Sequence, residues 1–394
     1  MLPVIDQPFE HAMMPIPDHD CHAREDFIVN LKLYLSDFVY PFDELVYEKR
    51  VKPLFVKENK REPKDCDEVH KLMMKDNFTQ FWSCIARNMQ EMLWDNQIEI
   101  AEKNQQRMEK YSSEIKKTFI GSLSLNPEFK TPKYIESIDI HAMPGGYQTT
   151  LGDNDIISGA VYDRGAYYYT KGYAGRWGEG GGTAILDTIK SYYPKFSPKR
   201  ILDVGCAIGW TSTPFADAYP EAEIFAIDVG ASILRYGHAR ANSLGKKINF
   251  LQQSGEHIEF PDCHFDLVIS GGVFHETSKK GAVNMIKEMY RVLKSNGICM
   301  NYDIPYGGDY SLHSQFMLNW DSYYNAEPFW RQWTSMERSE FMEMGGFKKS
   351  SVIDVWADRD HEGNFKLFDH PFDDIHTNAK GGIGRVQFFG AQRN

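Results

Sequence analysis

The chain has 394 residues, is 42% hydrophobic and 14% aromatic, and carries a formal net charge of −11, which allows one large core but fits two domains better. An acidic chain whose Lys/Arg runs are no longer than pairs has no footprint for a phosphate backbone, so nucleic acid is set aside as a partner. The opening MLPVIDQPFEHAMMP lacks the pattern of a signal peptide, no stretch is long and apolar enough to span a bilayer, and the six scattered cysteines form no CxxC pair, so a cytoplasmic protein with reduced thiols and no membrane partner is expected.

Residues 1–22 carry Pro3, Pro8, Pro15 and Pro17, each without a backbone donor, and read as an irregular arm. Phe27, Ile28, Leu31, Leu35 and Phe38 then recur at helical spacing, and after a break at Pro41 a second helical run covers 42–52 and stops near Pro53. Between Asp67 and Lys117 there is neither Gly nor Pro, and Val69, Leu72, Met73, Phe81, Ile85, Met89, Met92 and Leu93 form an apolar stripe that predicts one or two long helices. The result is a mainly helical N-terminal domain over 1–120. A connecting or lid region follows over 121–182, where Pro144-Gly145-Gly146, Gly152, Gly165, Gly172 and the WGEGGGT run predict turns and little regular structure.

From 183 to 394 the patterns alternate. Helices are expected at 184–192, from Trp210, at 232–244, 279–293 and 337–344, and seven strands at 200–204, 224–227, 248–252, 267–270, 298–302, 351–355 and 386–390. This order predicts an α/β domain with a doubly wound sheet, carrying an aromatic-rich insertion at about 304–336.

The sharpest motif is RILDVGCAIGWTS at 200–212, an apolar strand running into a D-x-G-x-x-x-G turn that opens a helix. Gly205 and Gly209 let a ligand approach the backbone, and N–H groups at a helix start favour a carboxylate. Asp203 adds an acceptor for an ammonium group, for which a plain phosphate turn has no use. A dinucleotide turn reads G-x-G-x-x-G, but Ala207 stands at its second glycine. Asp228 ends the next strand, about 20 residues past Gly209, where a carboxylate takes both hydroxyls of a ribose. These features favour S-adenosylmethionine over NAD.

On these residues, the segment from about 183 to 347 resembles the class I S-adenosylmethionine-dependent methyltransferases, in particular the small-molecule branch related to quinone-biosynthesis enzymes. QSGEHIEFPDCHFDLVISGGVFHE at 253–276 and EMYRVLKSNG at 288–297 follow that branch's further motifs. The resemblance implies a Rossmann-like domain, S-adenosylmethionine as cofactor, and methyl transfer to O, S, N or activated carbon of a small molecule. It also implies cofactor contacts from Cys206, Ala207, Val229, Ser270 and Gly271 beside Asp203, Gly205, Gly209 and Asp228. Where the family places an acidic residue against the adenine amino group, this chain has Ser254, flanked by Gly255 and Glu256. A cofactor-binding or regulatory protein without turnover, and an NAD-linked oxidoreductase, are the alternatives.

Ligands of open α/β sheets bind beyond the carboxyl ends of the strands. His275, after the fourth expected strand, is therefore the first choice for a general base or acceptor-positioning group, with Asp303 after the fifth strand and His141 before the Pro-Gly-Gly turn as further catalytic candidates. Tyr162, Tyr169, Tyr173 and Trp177 before the domain, and Tyr306 in the insertion, are expected to cover the acceptor. No metal is expected, because His19-Asp20-Cys21-His22 sits on an extended arm with no second ligand pair following. The helical domain is read as substrate cover, homodimer contact or both.

Overall fold

In the computed structural model, whose described residues are 7–115, 120–172, 174–359, 365–368 and 386–394, the helical half begins at Asp18, whose carboxylate accepts the Cys21 N–H at 2.9 Å and caps helix His19–Tyr34. The expected break at Pro41 does not occur. Single π-helical turns, Leu35–Val39 and Tyr47–Val51, lead into helices Tyr40–Val46 and Lys52–Asn59, so the chain runs on helically through Pro41 and Pro53. Each proline falls in the first turn after a π-turn, where its missing N–H breaks no α-helical bond.

Helices Cys66–Met73 and Asn77–Ile115 fill the stretch without Gly or Pro; the second has 39 residues and is roughly 58 Å long. Val69, Met73, Met89 and Leu93 of the expected stripe are buried, whereas Phe81 is 67% exposed. Phe81 lies roughly 120° round the helix from Leu93, outside the arc its neighbours cover.

The described strands form one sheet of nine: β1 (Ser122–Ser124), β2 (Arg200–Val204), β3 (Glu223–Asp228), β4 (Asn249–Gln252), β5 (Phe265–Gly271), β6 (Leu293–Asp303), β7 (Ile353–Arg359), β8 (Phe365–Phe368) and β9 (Val386–Gln392), in the order β1-β4-β3-β2-β5-β6-β9-β7-β8. All seven expected strands are there; β1 and β8 extend the two edges. β1 to β6 pair in parallel, while β9 runs antiparallel to both β6 and β7. With β3 and β5 on opposite sides of β2, the strand order reverses there and opens a crevice at the carboxyl ends.

Alternation along β2 divides the core between the faces of the sheet: Ile201 packs on one side with Ile185, Phe215 and Ile233, Leu202 and Val204 on the other with Ile286 and Met289. A third core joins Ile28, Val69, Trp82 and Leu93 of the N-terminal helices to Phe316 and Trp320 of the insertion. Burying each such side chain contributes about 1.5 to 3 kcal/mol, which binds the insertion to the helical half.

The connecting region differs most from expectation. Ile157–Tyr169 is a helix of 13 residues that packs against both Asn77–Ile115 and helix Ala231–Ser243. Gly165, which reads as a turn former, is a close-packing position, as is Gly159: a Cβ on Gly165 would lie 2.4 Å from Trp94, and one on Gly159 2.3 Å from Tyr236.

Candidate active site

After β2 the chain turns through Gly205 (φ +73°), Ala207 (φ +46°) and Gly209 (φ +84°) before helix Thr213–Ala218. Gly205 and Cys206 donate their N–H groups to the Ile227 carbonyl at 2.9 and 3.0 Å. Asp228 accepts the N–H of Ala207 at 2.9 Å and of Gly230 at 3.0 Å, so one carboxylate pins the turn to β3. Asp203 is fully buried; Ser212 Oγ donates to its Oδ2 at 2.6 Å, while Oδ1 has no hydrogen-bond partner among the described residues. Burial pushes this carboxyl up to about 7.

The turn is held from behind by Asp163, a buried carboxylate on helix Ile157–Tyr169. Its Oδ1 accepts from Trp210 Nε1 at 2.9 Å, and its Oδ2 meets His11 Nε2 at 3.0 Å, Tyr236 Oη at 2.8 Å and Arg240 Nε at 3.1 Å. Burial opposes its ionisation, but the Arg240 guanidinium, His11 and Tyr236 hold it well below the ordinary carboxylate range. The N-terminal arm, two helices and the glycine turn thereby share one anion.

A cavity of about 520 Å³ opens where β5 and β6 end, at Gly271, Gly272, Tyr302 and Asp303. Trp210, Tyr162 and Tyr147 wall one side; Tyr169, Trp94, Met89 and Lys32 close it from the helices, and Trp320 and Trp330 from the insertion. His275, Glu276 and His141 meet on its wall. His275 Nδ1 is 2.7 Å from Asp303 Oδ1, and the other Asp303 oxygen accepts the Phe274 N–H at 2.9 Å. Nε2 of the same ring is 3.7 Å from Glu276 Oε1. His141 Nε2 is 2.8 Å from that same oxygen, which also accepts from Tyr147 Oη at 3.0 Å, and His141 Nδ1 contacts the buried Glu327 carboxylate.

Burial by itself lowers both histidines, yet the carboxylates outweigh it. Asp303 leads in pushing His275 up to about 9, and Glu327 and Glu276 push His141 up to about 10. The backbone at His141 is left-handed (φ +60°) within the turn Ile140–Ala142. Its carbonyl accepts from Trp94 Nε1 at 2.8 Å and Gln90 Nε2 at 3.0 Å, so the long helix sets the ring's position from the backbone side.

Of the expected catalytic residues, the structure brings His275, Asp303 and His141 together, along with Glu276. Tyr162 and Tyr169 line the cavity. Trp177 is not part of that wall: its ring stacks on Phe9 at 4.7 Å. Tyr306 likewise lies off it, with its N–H on Gln387 at 2.7 Å, and Tyr173 lies outside the described residues. Among the adenine candidates, Ser254 Oγ accepts the Glu256 N–H at 3.2 Å, and Gly255 packs against Val204 and Met285. Glu256 is committed to Tyr134 Oη at 2.8 Å and Asn284 Nδ2 at 3.0 Å. The Val229 carbonyl accepts from Gln252 at 2.9 Å, and the Ser270 hydroxyl is buried on Asn301 at 2.8 Å. Sequence reasoning missed Glu327, Tyr147, Trp94 and Lys32, which reach the site only through tertiary packing and follow no motif.

Residues 201–297 match the model of a methyltransferase domain family. The chain is 32% identical over 119 residues to a malonyl-[acyl-carrier protein] O-methyltransferase of Legionella pneumophila, covering 30% of this chain and 40% of that one. It is 34% identical over 102 residues to a ubiquinone/menaquinone biosynthesis C-methyltransferase of Pseudomonas savastanoi, covering 25% of this chain and 39% of the other. A solved SAM-dependent methyltransferase of Thermotoga maritima aligns over 58% of this chain and 94% of its own, at 14% identity and a TM-score of 0.39. The chain spans about two fifths of the length of these curated relatives.

Proposed function

We propose, from the premise that residues 201–297 are a class I S-adenosylmethionine-dependent methyltransferase domain, that the whole chain methylates a small, largely apolar acceptor held in the 520 Å³ cavity. The observation that carries this reading is where the cavity opens, at the ends of β5 and β6 beside the glycine turn, with its far walls made of aromatic side chains. A volume in the range of small-molecule pockets, roughly 300 to 1,000 Å³, favours a metabolite over a macromolecule.

The residues present fit the cofactor. Asp203 offers a buried acceptor oxygen without a partner among the described residues, as an ammonium group requires, and an unpaired acceptor there costs about 1 to 3 kcal/mol. Asp228 stands at the end of β3 for a ribose, and the Gly205–Gly209 backbone presents a side-chain-free approach. When bound, S-adenosylmethionine supplies a methyl group on a positively charged sulfur. The chain's part is to orient the acceptor in line with that group and to exclude water. His275 is the acceptor-positioning residue, with its tautomer fixed by Asp303, and His141 flanks it through Glu276. The aromatic walls suit an apolar acceptor and favour a nearby cation.

In this reading 183–394 is the catalytic domain, 121–182 carries part of the lid, and 1–120 covers the acceptor. Pairing with a second copy would use the N-terminal helices, where Phe27, Phe38, Phe42, Leu54 and Phe81 are each more than half exposed. The six free cysteines favour a reducing, cytoplasmic setting; no helix among the described residues is long and apolar enough to cross a membrane. The test is release of S-adenosylhomocysteine across pooled small metabolites. Release that depends on one pool establishes transfer. Tight cofactor binding with no release from any pool would instead point to a binding or regulatory protein.

A further inference from the structure

We propose that His141, His275 and Glu276 form a binding site for a divalent transition-metal ion that faces the acceptor cavity. The three ligand atoms lie within 4.8 Å of one another. Atoms bound about 2.1 Å from a common ion stand roughly 3.0 to 3.5 Å apart. The observed separations from Glu276 Oε1, 2.8 Å to His141 Nε2 and 3.7 Å to His275 Nε2, bracket that value.

A second, independent feature is the arrangement behind the rings. Metal-bound histidines commonly direct the other ring nitrogen to a carboxylate, which fixes the tautomer and leaves the binding nitrogen unprotonated. Both rings here do so. His275 turns Nδ1 to Asp303 at 2.7 Å and His141 turns Nδ1 to Glu327, so that both Nε2 atoms converge on Glu276. Glu327 is 1% exposed, and its Oε2 has no hydrogen-bond partner among the described residues. Three carboxylates, Asp303, Glu276 and Glu327, stand around the two imidazoles and make a field that calls for positive charge.

The contrast with Asp18, Cys21 and Glu99, whose ligand atoms also fall within 4.8 Å of one another, is informative. There Lys103 Nζ stands 2.6 Å from Asp18 and 2.6 Å from Glu99, and already supplies the cation.

Two imidazoles and one carboxylate suit zinc, iron or manganese, and three protein ligands leave positions open for something else. Those positions face the cavity, since His141, His275 and Glu276 all line it. Resting on the reading that an acceptor binds there, the ion would hold the acceptor's oxygen, nitrogen or sulfur and favour loss of its proton to water. The expectation of no metal weighed only ligands close in sequence, and these come from a connecting loop and a strand end more than a hundred residues apart.

The test uses the full chain, stripped with a chelator and titrated with Zn²⁺ by calorimetry and with Co²⁺ by visible absorption. One equivalent should bind at micromolar affinity or tighter. Affinity should fall about 10- to 100-fold or more in His141→Ala and Glu276→Gln, and stay unchanged in His19→Ala, the exposed first residue of helix His19–Tyr34. Failure to bind one equivalent, or binding that survives both ligand substitutions, overturns the site. If His141→Ala does not fold, Glu276→Gln, which keeps the side-chain shape, decides together with the wild-type Co²⁺ spectrum. S-adenosylmethionine titrated into the same sample reports separately: its failure to bind sinks the methyltransferase reading and leaves the metal result standing.

Discussion

In the proposed site, the cofactor side and the acceptor side are built in opposite ways. The cofactor side is made of contiguous backbone, the β2 turn and the ends of β3, β5 and β6, where adjacent strands fix every position. The acceptor side is assembled from a loop at His141, two N-terminal helices, the helix Ile157–Tyr169 and the insertion, held by side-chain bonds such as Trp94 to the His141 carbonyl. A wall of the first kind tolerates change outside its turn. One of the second kind passes on changes made far away.

The largest effect should come from removing the anion behind both walls. Asp163→Asn leaves Arg240 buried without its counter-charge and should cost about 3 to 5 kcal/mol in urea unfolding. Its pH signature has a definite sign. The folded-state affinity of Asp163 for a proton is lowered, so its stabilisation is complete above the unfolded carboxylate value and is lost as pH falls below it. Wild type should therefore lose stability below about pH 4 more steeply than the variant; parallel curves would show that the network does not stabilise through charge.

Next comes the acceptor wall alone. His275→Ala should lower turnover about 100-fold or more, near 2.7 kcal/mol, while calorimetric affinity for S-adenosylmethionine stays nearly unchanged. A matching loss of both would merge the two walls into one functional unit. Asp228→Ala makes the complementary break, weakening cofactor binding by about 1.5 to 3 kcal/mol; undiminished affinity would remove Asp228 from the pocket. Trp94→Phe is the smallest, about 1 kcal/mol for the lost bond to the His141 carbonyl. It should appear in the acceptor KM and leave cofactor affinity alone, and a change confined to cofactor affinity would contradict the division.

The same division explains how far the sequence could be read. Strands β2, β3 and β5 are mainly apolar runs with Asp203, Asp228 and Gly271 at or one residue from their ends, so local pattern located the turn and its carboxylates. His275 and Asp303 followed from the rule that ligands bind at strand ends. Glu327 and Lys32 carry no such mark, because their role depends on helices packing across the cavity. Gly165 misled for a related reason: a glycine that admits a neighbouring ring looks, in sequence, like one that bends the chain. Pro41 and Pro53 misled because π-turns absorb them.

The contact between His11 and Asp163 has a temporal side. A ribosome delivers His11 long before Asp163, Trp210, Tyr236 and Arg240, so the arm has nowhere to dock until these residues have emerged. The arm thus settles well after it is made, and the turn behind Trp210 gains this support only once Arg240 has been added.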